Sequence, residues 1–138
     1  MAADSTLVFD ACAVIAMLRG ESGAEVVVSL LGEPNNRCRL HAVNLCEVYY
    51  DGIRRGDSTD AARLEELLTK SGFDIETEVP QSLWELVGRL KATLHRVSLA
   101  DCFALAFALR ENGTLITSDH HEFDPIAATG IYPVQFIR

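Results

Sequence analysis

Short apolar segments rich in β-forming residues alternate with helical segments along this 138-residue chain. Strands separated by helices pair in parallel through right-handed crossovers, and this places helices on both faces of the sheet. Short apolar strands suit burial on both faces. The alternation therefore predicts an α/β fold, a three-layer α/β/α sandwich around a central, mostly parallel sheet. The predicted strands are residues 6–10, 39–43, 73–78, 114–117 and 133–137, the last of them at an edge.

Helix start and stop signals divide the segments between the strands. Capping residues and Pro mark the starts, and Gly marks most of the ends. Residues 118–130 are predicted to be a loop with one helical turn. The predicted helices are residues 13–19, residues 24–31 capped by Ser22, residues 44–54 capped by Asn44, a helix from Ser58 or Thr59 to Gly72, one that starts at Pro80, and one capped by Ser98 that ends at Asn112.

Length and composition fit a single domain over residues 1–138. Apolar residues make up 49% of the chain and charged residues 23%, which is ordinary globular usage. The longest uncharged stretch, residues 102–109, is far short of the roughly 20 residues that a membrane span needs. Asp4 precedes any apolar N-terminal run. We therefore expect a cytoplasmic protein without membrane contact.

The four cysteines show no regular spacing. Cys12, Cys38, Cys46 and Cys102 form no CxxC pair, so the pattern suggests neither a zinc site nor a disulfide framework. Small apolar side chains of this kind are usually buried. The prediction is four buried free thiols.

Four acidic residues stand where strands end or helices begin: Asp10, Glu47, Asp101 and Asp119. Taken singly, each has a structural explanation: Asp10 can cap a helix, Asp119 can sit in a turn, and Glu47 and Asp101 can complement a helix dipole. Taken together, they point to one place, because ligands of parallel sheets gather at the carboxyl ends of the strands. Carboxylates that converge repel one another unless a cation is bound.

An all-oxygen ligand set selects a hard divalent metal ion. Mg²⁺ and Mn²⁺ prefer carboxylate and water ligands, whereas zinc more often recruits His or Cys. The formal net charge of −8 is a poor match to a protein with a broad basic face for nucleic acid. Two divalent ions would cancel the four candidate carboxylates, so modest affinity for RNA remains compatible with this charge.

The same acids carry a resemblance to the PIN domain family, and within it to VapC-type toxins of bacterial toxin–antitoxin pairs. The resemblance spans nearly the whole chain in matching order and spacing. It rests on the segments Leu7-Val8-Phe9-Asp10, Asn44-Leu45-Cys46-Glu47-Val48-Tyr49, Leu99-Ala100-Asp101-Cys102-Phe103-Ala104 and Leu115-Ile116-Thr117-Ser118-Asp119.

The resemblance implies a metal-dependent endoribonuclease that cleaves RNA with Mg²⁺ or Mn²⁺ held by Asp10, Glu47, Asp101 and Asp119. It also implies a role for the Thr117 hydroxyl, a cognate antitoxin that covers the acidic cleft, and a homodimer. The chain departs from the family pattern after Asp10, where Ser or Thr is common and Ala11 followed by Cys12 stands instead.

Other readings stay open or are disfavoured. A catalytically inactive PIN scaffold that binds protein or RNA is the alternative, kept open by Ala11. An aspartyl phosphotransferase would also place an acid at Asp10, but its second Asp is replaced by Cys12. Neither a phosphate-binding glycine motif nor a nucleophile elbow occurs.

Secondary candidates for substrate contact are weaker. His120 and His121 are predicted to be solvated loop residues, and Trp84 and the pair Tyr49-Tyr50 are predicted to pack rather than stack on bases. Helix-surface cations could meet phosphates or acids of a partner. These cations are Arg19, Arg54, Arg55, Lys91 and Arg96.

Overall fold

A computed structural model describes residues 4–57 and 60–138. Within these residues, the strands are β1 (Ser5–Phe9), β2 (Asn36–His41), β3 (Asp74–Glu76), β4 (Thr114–Thr117) and β5 (Val134–Phe136). The helices are α1 (Ala11–Arg19), α2 (Ala24–Gly32), α3 (Ala42–Arg54), α4 (Ala61–Ser71), α5 (Gln81–Thr93), α6 (Leu99–Arg110) and α7 (His120–Ala128).

The strands form one sheet in the order β3-β2-β1-β4-β5, with every neighbouring pair parallel. Side chains alternate across it, so Leu7 and Phe9 face one helical layer and Val8 faces the other. Helices α1 to α4 supply the first layer and α5 to α7 the second. The predicted three-layer α/β/α sandwich is confirmed, and its sheet is wholly parallel.

The strand order creates a topological switch point between β1 and β4. The chain builds β1, β2 and β3 outward in one direction and then returns to place β4 on the free side of β1. In parallel sheets a crevice opens at the carboxyl ends of the strands at such a point, because the connections leave on opposite faces. The fold therefore offers a binding crevice beside the ends of β1 and β4.

The junction of β2 and α3 differs from the prediction. The strand ends at His41 and the helix begins at once with Ala42, so Asn44 is a buried residue inside the helix and not its cap. His41 is the cap: its Nδ1 accepts from the Val43 amide at 3.1 Å, while its Nε2 lies 3.0 Å from the Glu78 carbonyl. The Asn44 amide donates to the Ala100 carbonyl at 3.1 Å. Local capping rules assign Asn44 to the helix start, but its side chain instead forms this tertiary hydrogen bond to α6.

Two further helix caps and one loop also differ. Helix α2 starts at Ala24 as predicted, but its cap is Gly23, which is in a left-handed conformation at φ 95°, and not Ser22. Asp60 caps α4 by accepting from the Arg63 amide at 2.8 Å, and the predicted starts Ser58 and Thr59 lie outside the described residues. The predicted loop contains helix α7, a full nine residues despite Pro125, because Phe123 and Ile126 are buried against the second layer.

Burial corrects two predictions about side chains. Cys38 and Cys102 are buried and Cys12 is partly buried, but Cys46 is exposed on α3. Trp84 was expected to pack, yet 53% of it is exposed. Both residues lie on helices, where a position beside an apolar stripe can still face solvent.

No helix among the described residues is both long and apolar enough to cross a membrane.

Arg39 tests how much a buried ion pair stabilises this fold. Its guanidinium is 7% exposed, lies 4.7 Å from the Phe107 ring centroid, and bonds Glu111 at 2.7 Å and Glu76 at 3.3 Å. Arg39→Met removes the cation from Glu76, Glu111 and Asp74, whose carboxylate also lies 3.3 Å from the guanidinium. We expect the free energy of unfolding to fall by about 2 kcal/mol, measured by urea denaturation.

Arg37 is the matched control for this change. It lies two residues earlier on the same strand, is 58% exposed, and pairs with Asp74 at 3.2 Å. Arg37→Met is expected to cost under about 1 kcal/mol, because water screens an exposed pair. Equal losses for the two variants would contradict a stabilising role for the buried pair.

Candidate metal centre

The carboxyl edge of the sheet brings the predicted acids together. Asp10 directly follows β1, and Asp119 lies two residues beyond β4. Strands β1 and β4 are neighbours with Phe9 opposite Ile116, so both acids lie at the switch-point crevice. Asp101 is in the first turn of α6, as predicted, while Glu47 lies in the second turn of α3 and not in its first. The bond between Asn44 and Ala100 holds α3 against α6 and so brings the two helices to one edge.

Asp10 forms the buried floor of the site. Its side chain is fully buried, and one carboxylate oxygen accepts from the Ala13 amide at 2.9 Å, which caps α1. The other oxygen accepts a hydrogen bond from the Thr117 hydroxyl. The structural role that the sequence offered as an alternative is therefore real, and it coexists with a place beside the other acids.

Burial raises the pKa of Asp10 from 3.8 to about 7. The bonds from Thr117 and Ala13 oppose this rise, whereas the charges of Asp119 and Glu47 add to it. A carboxyl group with such a pKa is partly protonated at neutral pH unless a cation favours its charged form. A bound cation would therefore shift Asp10 toward its charged form.

Thr117 connects two of the acids. It is fully buried, donates to Asp10, and accepts from the Asp119 amide at 3.0 Å. The hydroxyl therefore fixes both the Asp10 carboxylate and the backbone that carries Asp119. At Ala11, where the family pattern has a hydroxyl, the small side chain is 4% exposed and lines the wall of the site.

Glu122 is the acid that the sequence analysis missed. Glu122 offers one carboxylate oxygen beside one from Asp101 and one from Asp119. These three oxygen atoms all lie within 4.8 Å of one another. Asp119 caps α7 by accepting from the Glu122 amide at 3.0 Å, an acidic N-cap followed by Glu at the third helical position. That spacing is readable in the sequence, but the prediction of a loop concealed it.

Mutual repulsion is strongest around Asp101. Burial raises its pKa well above the ordinary value, and Glu122 adds to the rise because the two carboxyl groups lie close enough to share a proton. The charges of Asp10 and Glu47 act in the same direction. Burial likewise raises the pKa of Glu47, against an opposing effect of Asn44. The acids of this edge are thus held closer together than their charges favour without a cation.

The acids open into a cleft of about 310 Å³. Its outer wall carries Arg54, which lies over the Tyr50 ring at 5.1 Å and within 4.0 Å of Asp51. Asp51 also faces Arg19 at 3.6 Å, so part of the cleft's charge is already compensated. The remaining lining residues are Ala11, Cys12, Ile15, Glu47, Ser98, Asp101, Asp119 and Glu122.

The donor set fits a hard divalent cation. All the candidate ligands are carboxylate oxygens, which Mg²⁺ and Mn²⁺ prefer. The Ser98 amide lies 3.4 Å from both carboxylate oxygens of Glu122 and orients this group. Burial and the surrounding carboxylates raise the pKa of Cys12, so this neighbouring thiol stays protonated and is a poor ligand.

His120 and His121 lie on α7 and not in a solvated loop. His120 stacks on Phe136 with ring centroids 4.0 Å apart, and its ring nitrogens lie 2.7 Å from Asp124 and 2.8 Å from the Arg138 carbonyl. It therefore holds the last strand against α7. His121 is exposed and points to a second cavity beside the acids.

Comparison with known proteins gives one family match. Residues 7–128 match the PIN domain model, from the first strand into the last helix. A search of curated proteins gave no match.

Several solved structures share the fold. A toxin–antitoxin complex from Klebsiella pneumoniae has a TM-score of 0.70 at 22% identity, covering 97% of this chain and 98% of that one. VapBC-1 from nontypeable Haemophilus influenzae has a TM-score of 0.68 at 20% identity, covering 96% and 98%. VapBC-5 from Mycobacterium tuberculosis has a TM-score of 0.57 at 25% identity, covering 99% of each chain. Since the family match spans most of the residues and the fold agrees with it, the chain belongs to the PIN domain family.

Proposed function

We propose that this chain is a divalent-metal-dependent endoribonuclease that hydrolyses RNA phosphodiester bonds and serves as the toxin of a toxin–antitoxin pair. The observation that carries the proposal is the approach of Asp101, Asp119 and Glu122 to within 4.8 Å at the carboxyl edge of the sheet. No core-packing or helix-capping role requires three carboxylates at this separation. A site that gathers negative charge in this way suits a metal ion and, through it, a phosphate.

In this proposal Asp101, Asp119 and Glu122 hold Mg²⁺ or Mn²⁺, and Asp10 and Glu47 complete the acidic site from the floor and from α3. When bound, the cation would lower the pKa of a water molecule and neutralise charge that develops on the phosphate. The protein's own part is to fix the carboxylates before substrate arrives. Thr117 and the Ala13 amide hold Asp10, and the Ser98 amide holds Glu122.

The toxin role is supported by the solved structures that share this fold. Three of them are toxin–antitoxin or VapBC complexes, and each matches this chain over nearly its whole length. An antitoxin segment that covers the acidic cleft would need basic residues to match its charge. A homodimer is proposed from the family resemblance alone, and sedimentation that finds only monomer at micromolar concentration would contradict it.

The direct test uses the full chain and total RNA. Protein free of antitoxin is incubated with Mg²⁺, with Mn²⁺ or with EDTA, and the 5′ ends of all fragments are mapped. We expect cuts at defined positions that depend on added metal. If a folded protein makes no cut with either metal, the nuclease proposal is wrong and the inactive PIN scaffold that binds protein or RNA takes its place.

Glu122→Gln tests the acid that sequence analysis did not identify. The amide keeps the size of the side chain but removes its charge, so metal affinity is expected to fall about ten- to hundredfold. The readout is the Mn²⁺ concentration that gives half-maximal cleavage. Glu111→Gln is the matched control. Glu111 is partly exposed, bonds Arg39, and lies just after α6, at the end opposite Asp101. This variant is expected to leave the Mn²⁺ requirement unchanged.

A further inference from the structure

A second cavity adjoins the acidic cleft and shares Glu122 with it. It has a volume of about 360 Å³ and lies between the α5–α6 connection and α7. We call it the flanking pocket; its walls are residues 93–97 on one side and His121, Glu122, Pro125 and Ile126 on the other. Glu122 lines both this pocket and the acidic cleft, so a chain that crosses the acids can continue directly into the pocket.

The wall formed by the α5–α6 connection is held in place before any ligand binds. The Lys91 ammonium donates to the carbonyls of His95 at 3.1 Å and Val97 at 2.7 Å. The amide of Val97 donates to the Leu94 carbonyl at 2.9 Å. Lys91, a candidate phosphate contact by sequence, is therefore used inside the protein. A preformed wall lowers the entropy cost of ordering a ligand.

Arg96 gives the flanking pocket a cation that is available for an anion. Within the described residues, most basic side chains already pair with carboxylates, but no carboxylate lies within ion-pair distance of Arg96. The paired residues are Arg19, Arg37, Arg39, Arg54, Arg63, Lys70, Arg89 and Arg138. In a chain with a net charge of −8, an uncompensated guanidinium in a pocket next to the acidic cleft suits a phosphate.

The remaining lining of the pocket suits a nucleobase. Leu94, Val97 and Ile126 provide apolar surface, and the exposed imidazoles of His95 and His121 stand at the rim. Bases of single-stranded RNA bind where they can lie on apolar surface, stack on a flat side chain and bond at their edges. Apolar surface, two imidazoles and one guanidinium together match a nucleotide better than they match a metal ion or a lipid.

We propose that the flanking pocket binds the nucleotide next to the scissile bond of single-stranded RNA, with Arg96 contacting its phosphate and His121 contacting its base. This proposal rests on the proposed nuclease function and names part of its substrate site. Arg96 would attract the RNA backbone in the flanking pocket, whereas the carboxylates of the neighbouring cleft repel phosphate.

The test measures RNA affinity apart from cleavage. The probe is a fluorescein-labelled, random-sequence single-stranded RNA of about 12 nucleotides, within the range that one nucleic-acid-binding domain covers. Fluorescence anisotropy is recorded in Mg²⁺ at several salt concentrations and at pH 8, with Asp101→Asn present in every protein to prevent cutting. Arg96→Gln is expected to raise Kd about three- to tenfold and to reduce the salt slope of log Kd by about 0.7, one phosphate contact on a single strand.

Two further variants separate a specific contact from a general effect of charge. Arg110→Gln makes the same change at an exposed Arg that has no ion pair within the described residues, about 13 Å along α6 from Asp101. It is expected to leave Kd and the salt slope unchanged. His121→Ala is expected to raise Kd without changing the salt slope, because its proposed contact is to a base and not to a phosphate.

The outcomes distinguish this proposal from the nuclease proposal. If Arg96→Gln and Arg110→Gln behave alike, the flanking pocket does not bind the RNA backbone and the inference is wrong, even when the wild type cleaves RNA. If the wild type cleaves nothing but RNA affinity depends on Arg96, the flanking pocket binds RNA and the nuclease proposal, with its scissile bond, is wrong. Melting temperatures equal to that of the parent protein show that each variant is folded.

Discussion

Asp101→Asn is expected to lower the RNA cleavage rate on the order of a thousandfold. Asp101 is the acid whose pKa is raised by burial and by the charges of Glu122, Asp10 and Glu47, so it lies where these carboxylates converge. Asn keeps the shape of the side chain but removes one negative charge and one anionic ligand. Loss of electrostatic stabilisation at a dry site typically costs two to three powers of ten in rate.

The measurement for Asp101→Asn is the single-turnover cleavage rate at saturating Mn²⁺ on the RNA that the mapping experiment identifies. Asp124→Asn is the matched control, since the side chain of this exposed Asp on α7 bonds His120 and Asn can keep that bond. The control is expected to retain the wild-type rate. A rate for Asp101→Asn within tenfold of the wild type would remove Asp101 from the proposed site.

Stability of the metal-free protein is expected to fall as pH rises from about 4 to about 8. Burial raises the pKa of Asp10 from 3.8 to about 7, so the folded protein binds a proton in this range that the unfolded chain has released. Where the folded state binds more protons, raising the pH favours unfolding. The contribution is fully present below the ordinary pKa of Asp and is lost as pH passes the folded-state value. The raised pKa of Asp101 extends the loss to higher pH.

The size of this effect follows from the shift at Asp10. A rise from 3.8 to about 7 corresponds to about 4 kcal/mol at 1.36 kcal/mol per unit of pKa. For a chain of this length that is on the order of 10 °C in Tm. Tm is measured in EDTA between pH 4 and pH 8 by circular dichroism. Saturating Mg²⁺ is expected to oppose the loss increasingly as pH rises, because the cation stabilises the charged form of the acids.

Asp10→Asn supplies the control for the pH experiment. The amide oxygen can still accept from the Ala13 amide and cap α1, but the group no longer titrates. The variant is expected to show a flatter dependence of Tm on pH and a smaller response to Mg²⁺. A wild-type Tm in EDTA that stays constant or increases over this range would contradict the raised pKa.

The fold could be predicted from the sequence because its signals are local and repeated. Strands β1 and β4 are short apolar runs bounded by polar residues, and the order of strands and helices leaves few alternatives to a parallel sheet. The errors lie where a tertiary contact replaces a local preference. Asn44 is a good capping residue, yet it bonds the backbone of α6. Pro125 disfavours a helix, yet α7 forms because Phe123 and Ile126 are buried.

The candidate site could be predicted in part for the same reason. Asp10, Asp101 and Asp119 stand next to strand ends or helix starts, and the geometry of a parallel sheet then brings them to one edge. Glu122 was missed because its place in the site depends on α7 being a helix, which turns this side chain toward Asp101 and Asp119. Their roles as metal ligands stay predictions that the variants above test.

The sequence by itself determined the α/β/α fold, the family and the edge of the sheet where the acids meet, because these follow from periodicity and from the order of strands. Only the tertiary structure decided that Glu122 joins Asp101 and Asp119, that Thr117 bonds Asp10, and that Arg96 has no acidic partner among the described residues. Each of these depends on distances between groups far apart in the chain or on burial. Local sequence patterns carry neither quantity, since both are set by the packing of the whole domain.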